Sequence, residues 1–122
     1  MPSTFTPQDY ITLARTLAAD TSDEVKLRAA VGRAYYGIFL LVKTKANIVD
    51  KVGVHAAATR AVAGKSFSAG SYFNSLRLMR VHADYDLKPR DSDYDSAYDD
   101  WLNNWKDAEV QIDNLLDLID TW

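Results

Sequence analysis

The chain has 122 residues, 48% of them hydrophobic and 25% charged, which is the size and balance of one soluble domain with a single core. There is no cysteine, so disulfides and cysteine-held metals are excluded, and a reducing, cytoplasmic setting is the expectation. The opening MPSTFTPQDY lacks the basic and apolar runs of a secretory leader, and the apolar run at 37–42 is far too short to cross a bilayer, so no membrane partner is expected.

Thr6-Pro7-Gln8-Asp9 reads as a helix start: Thr6 can cap, Pro7 suits the first turn, and Asp9 meets the positive helix end. Tyr10, Leu13, Ala14, Leu17 and Ala18 then form one apolar stripe, which predicts a helix ending near residue 19. Thr21-Ser22-Asp23-Glu24 offers several caps for a second helix running to about residue 46. Leu27, Ala30, Ala34, Ile38 and Leu41 keep helical spacing on one face. Tyr35, Phe39 and Val42 add a second apolar side, so this helix is predicted to be central. Gly32 and Gly37 each cost about 1 kcal/mol against Ala in a helix interior. With Ala29, Ala30 and Ala34, they predict a neighbouring backbone packed close.

Residues 47–53 connect to a short, alanine-rich third helix over 54–63, closed by Gly64. Residues 65–70 read as a loop with a cap for a fourth helix from 72 to about 85, which Lys88-Pro89-Arg90 breaks. In the last helix Tyr94, Tyr98, Trp101, Trp105, Ala108, Ile112, Leu115, Ile119 and Trp122 step alternately by four and three, after a cap at Asp91 or Ser92. That is the seam of a coiled coil or bundle. Trp101 and Trp105 can stack nucleobases, but among Ile and Leu at this spacing they read as core or dimer surface. Nothing signals a strand or a repeat. The expected fold is all-α: one domain over 1–122, an antiparallel bundle of four to five helices with a long second and a long C-terminal helix.

The densest chemistry lies at 77–86, where Arg77, Arg80, His82, Asp84, Tyr85 and Asp86 supply what holds a phosphate and moves a proton. Charge along the chain is uneven. Residues 1–83 hold 11 Lys+Arg against 5 Asp+Glu, a net of +6, whereas 84–122 hold 3 against 12, a net of −9. A basic section can attract a polyanion; equally, two solvated faces of opposite sign can attract each other.

Arg33-Ala34-Tyr35-Tyr36-Gly37-Ile38-Phe39 resembles the (S)RAYYAxFH-like run of the HEPN family. His55 stands where that family often has a histidine opening its next segment. Arg77 to Asp86 combines the family's R-x(4–6)-H pattern, as Arg77 and His82, with the R-x-x-A-D-Y-D-like run of one branch, from Arg80 to Asp86. The likeness spans roughly residues 8–120, in the family's order. It implies a four- or five-helix bundle, usually a homodimer, and for many members a metal-independent endoribonuclease with its site between two protomers. Other members bind a nucleotide or RNA, and many pair with a minimal nucleotidyltransferase as toxin and antitoxin. Three positions depart from the pattern: Leu78 follows the motif arginine, Leu40 replaces the histidine after Phe39, and His82 stands where the A-D-Y-D branch is often basic but not histidine.

RNA cleavage without a metal needs a base for the 2′-hydroxyl, a cation for the charged phosphorane and an acid for the 5′-oxygen. Histidine and arginine can fill those roles. Five helical residues turn the chain by about 500°, leaving Arg77 and His82 roughly 140° apart. Arg77, Arg80 and Asp84 share a face, with Arg80 and Asp84 spaced for an ion pair, and His82 lies on an edge with Leu78 and Tyr85. Two copies about a two-fold axis can set Arg77 of one against His82 of the other. Arg77 and His82 are thus the candidate catalytic pair, and Arg80, Asp84, Tyr85 and Arg33 the supporting or RNA-contacting residues. The supporting residues also have plainer readings: Arg80–Asp84 as an ordinary ion pair, Tyr85 as a packed residue, and Arg33 as a charge partner of Asp84 or Asp86; His55, likewise, reads as a helix-start residue. The sequence therefore admits an endoribonuclease, a non-catalytic module binding nucleotide, RNA or protein, and a helical adaptor, none needing a cofactor or metal.

Overall fold

The computed structural model describes residues 5–20, 23–49, 52–85 and 97–122. They form five α-helices and, among the described residues, no strand: α1 Pro7–Ala18, α2 Glu24–Lys45, α3 Val54–Lys65, α4 Phe67–Tyr85 and α5 Ala97–Ile119. The fold is an all-α bundle.

Local chemistry sets the helix ends. The Thr6 amide donates to Asp9 Oδ2 at 2.8 Å, satisfying a donor at the start of α1. Asp23 caps α2 by accepting from the Lys26 amide at 3.1 Å. Asn47 (φ 56°) and Gly53 (φ 67°), in the left-handed region, bracket the turn from α2 to α3. The α3–α4 connection is tighter than the sequence predicts. Gly64 does not close α3, and α4 starts at Phe67 rather than near residue 72. Ser66 alone joins the two helices: its extended backbone ends α3, and its hydroxyl accepts from the Ala69 amide at 3.3 Å.

The α2 helix is central, packing against all four others. Leu27, Ala30, Ala34, Ile38 and Leu41 are buried as their spacing predicts, together with Tyr35, Phe39 and Val42. The predicted close approach occurs at Gly37, where an added Cβ would stand 2.7 Å from Ile11 Cγ1 and 3.1 Å from the Pro7 carbonyl oxygen. Gly32 meets only side chains of α4, Asp84 and Arg80, at ordinary contact distance. Because α1 docks through Ile11 at that crossing, Ile11, Ala14 and Ala18 are buried while Leu13 turns outward. On α5 the seam of Trp101, Trp105, Ala108, Ile112, Leu115 and Ile119 is buried as predicted. Tyr94 and the caps expected at Asp91 or Ser92 fall outside the described residues, as does the Tyr98 side chain. No described helix is long and apolar enough to cross a membrane.

Candidate functional site

Polar groups gather where α2, α3 and α4 meet. Tyr35 is fully buried on α2, and its ring is flanked by Phe39 and Phe73. His55, the second residue of α3, stacks on Phe39 with centroids 4.4 Å apart, and its Nδ1 lies 2.5 Å from the Tyr35 hydroxyl. A hydroxyl can donate to a bare Nδ1 or accept from a protonated one, so the imidazole keeps its partner in either tautomer. Burial holds the Tyr35 phenol above its ordinary range, although Arg77 and Arg80 pull it down. His55 is held below 6.5 first by burial and then by the charges of Arg80 and Arg77.

Both arginines come from α4. Arg80 is largely buried. Its guanidinium carbon lies 5.8 Å from the Tyr35 ring centroid and 5.5 Å from that of Tyr36, within cation–π range. Its Nη1 reaches Asp84 Oδ2 at 3.1 Å, so the predicted i, i+4 ion pair forms. Its Nε is buried without a hydrogen-bond partner among the described residues. One turn earlier, Arg77 donates from Nε and Nη2 to Asn74 Oδ1 at 3.3 and 3.1 Å. It forms no ion pair with a described residue. Arg77 also lines an open groove between α3 and α4, opposite Arg60.

The remaining predicted residues go elsewhere. Arg33 is exposed on α2 and lies over the Tyr10 ring of α1, 5.7 Å from its centroid. It therefore pairs with neither Asp84, which Arg80 engages, nor this cluster; Asp86 falls outside the described residues. His82 is half-buried on α4, which is helical through this stretch, so the roughly 140° turn from Arg77 stands. Within one chain the charges of Arg77 and Arg80 act on His55. Tyr85 ends α4, and its side chain is outside the described set. Next to His82, the Ala83 carbonyl accepts from Arg28 Nε at 2.8 Å, while the Arg28 guanidinium lies over Trp101.

Sequence reasoning passed over Tyr35 and His55 as site residues, although both lie in the motifs that carry the resemblance. It also passed over a plainer signal. Residues 52–83 contain no Asp or Glu, but hold Arg60, Lys65, Arg77 and Arg80. Among the described residues, no three His, Asp or Glu gather as metal ligands would. Compared with protein-family models, curated proteins and solved structures, the chain matches none.

Proposed function

We propose that the chain is a HEPN-like RNA-binding protein that cleaves its RNA without a metal, through a site completed by a second copy of itself. The observation carrying this reading is the α3–α4 hairpin: a 52–83 segment without a carboxylate, whose Arg80 lies over the Tyr35 ring and whose Arg77 and Arg80 charges both act on the Tyr35–His55 pair. Of the two, Arg77 has no acid partner among the described residues, and such a guanidinium attracts a phosphodiester while its forked donors suit the charge of a phosphorane. Metal-free cleavage requires both a base and an acid, and the chain has two histidines to supply them. His55 is acted on by the arginines of its own chain. His82, turned to another side of α4, serves the site of the second copy.

The test is incubation of purified protein with single-stranded RNA in EDTA. Wild type cuts. Arg77→Ala loses activity on the order of 10²-fold, as for a lost charge-stabilising donor. His82→Ala also loses activity, and mixing the two inactive proteins restores part of it, because one site of the heterodimer is whole. Cleavage undiminished in either variant, or a monomer that cuts, refutes the proposal.

One observation favours a second reading, a binding module that does not cut and docks RNA or a partner such as a minimal nucleotidyltransferase. Arg80 is already engaged by Asp84, and Leu78, exposed beside Arg77, offers no polar group. RNA binding without cleavage in the same assay selects this reading.

A further inference from the structure

We infer that the groove between α3 and α4 binds one nucleotide unit of a single-stranded RNA chain. The inference rests on the RNA-binding reading above, but not on cleavage. The groove has a volume of about 380 Å³ and is lined by Ala56, Thr59, Arg60, Ala63, Asn74 and Arg77. That lies near the lower end of small-molecule sites, roughly 300–1,000 Å³. Its shape follows from the hairpin. Near the Ser66 turn the helices touch, with Gly70 placed so that an added Cβ would stand 2.7 Å from Ala63 Cβ and 2.8 Å from Ala63 Cα. Away from the turn, Ala56 and Thr59 are too small to fill the space facing Asn74 and Arg77.

The groups around the groove complement a nucleotide. Arg60 and Arg77 approach from opposite helices, and neither forms an ion pair with a described residue. Asn74 Oδ1 fixes the Arg77 guanidinium by accepting from both Nε and Nη2, so one phosphate-binding fork is held in place before a ligand arrives. The Asn74 amide nitrogen keeps its two donors, which suit a base carbonyl. The Thr59 hydroxyl donates to the His55 carbonyl oxygen at 2.9 Å, so its lone pairs remain to accept from a ribose 2′-hydroxyl. The methyls of Ala56 and Ala63 give a base face an apolar surface. Among the described residues, no carboxylate lines the groove to repel the phosphate. Arg77 belongs both to the groove and to the Tyr35–His55 cluster, so a nucleotide seated here directs its neighbouring phosphodiester toward that cluster.

Binding, not cleavage, tests this. A fluorescein-labelled uridylate hexamer is titrated by anisotropy over a range of salt, with its integrity checked afterwards. Amide spectra are recorded with the hexamer and with uridine 5′-monophosphate. Shifts at Ala56, Thr59 and Ala63 are expected with the hexamer. Arg60→Ala should weaken binding about tenfold and lower the salt slope by about one phosphate contact. Ala56→Phe should obstruct the groove without changing charge. Both positions are wholly or partly solvent-facing, and circular dichroism checks that the variants stay helical. If the hexamer binds but neither variant weakens it, the groove is not the site and the RNA reading survives. If uridine 5′-monophosphate binds as tightly as the hexamer, the ligand is a free nucleotide and the assignment to a chain fails. If wild type does not bind the hexamer, the groove assignment and the RNA reading fall together.

Discussion

The α5 helix and the α3–α4 hairpin both pack on α2, yet they are built from opposite materials. Over Ala97–Ile119, α5 carries six Asp+Glu and one Lys, and sends a single apolar seam inward. The hairpin carries no acid over 52–83, and its short α3 buries fully only Ala58 and Val62. On the α5 side, Trp101, Ile112 and Leu115 are fully buried, while Lys106, Asp107, Asp113 and Asp117 stay exposed. On the hairpin side, alanines leave room in which Tyr35, His55 and Arg80 meet among aromatic rings. The contrast separates two roles: α5 supplies packing energy, and the hairpin holds the groups that can do chemistry.

The hardest test of that division is Trp101→Ala. Trp101 is fully buried and carries Arg28 on its ring, 4.6 Å from the centroid. Its loss should cost about 3–5 kcal/mol in urea unfolding, as for other buried aromatics cut to alanine. A cost below about 1 kcal/mol, the range of surface changes, would remove α5 from its role. Gly70→Ala acts on the hairpin instead. The new methyl would collide with Ala63, and overpacking of this kind costs about 1–3 kcal/mol. Gly64→Ala, six residues away, has the opposite sign. Apart from the helix's own backbone and the chain neighbours, no atom lies within 4 Å of the added Cβ, and the residue is helical, so stability should rise by about 0.4–1 kcal/mol. Melting the two glycine variants side by side measures how tightly the hairpin is closed at its turn. If Gly70→Ala does not destabilise, the close approach of α3 and α4 is wrong.

Those two glycines also mark where the sequence was readable. Periodicity identifies the α5 seam and the central α2 because many buried positions on each helix repeat the helical spacing. Glycine often ends helices, so Gly64 reads as a stop, but the stop is set two residues later by the extended Ser66 backbone, while the Ser66 hydroxyl caps the start of α4. Nothing in the run Lys65-Ser66-Phe67 shows that a helix resumes at once. Tertiary packing, through Gly70 against Ala63, decides it. For the site, spacing on α4 placed Arg80 with Asp84 and turned His82 away from Arg77. It could not show that the charges of those arginines act on His55, because that coupling joins residues more than twenty positions apart. Arg33 failed as a candidate for a related reason: proximity to the tyrosines in sequence says nothing about the side of α2 it occupies, and it faces α1.

The smallest effect concerns His55, and it tests whether the hairpin's charges bear on the imidazole. Among the described residues, the groups facing it are Tyr35 and Phe39 of α2 and Arg77 and Arg80 of α4, with no carboxylate among them. Its folded pKa therefore lies below the 6.5 of the unfolded chain. As pH falls through 6.5 the unfolded chain takes a proton that the folded site still refuses, so the unfolded state gains stability. The stability associated with neutral His55 is fully present above about pH 6.5 and is lost as pH drops through the folded value. Wild type should thus lose more unfolding free energy between pH 8 and pH 5 than His55→Gln, which has no proton to gain. In an Arg77→Ala, Arg80→Ala double variant, removing the two cations should shrink that difference while leaving the part due to burial. An identical pH dependence in wild type and His55→Gln would mean that the imidazole does not sense its surroundings, and the hairpin cluster would then be packing of the same kind as α5.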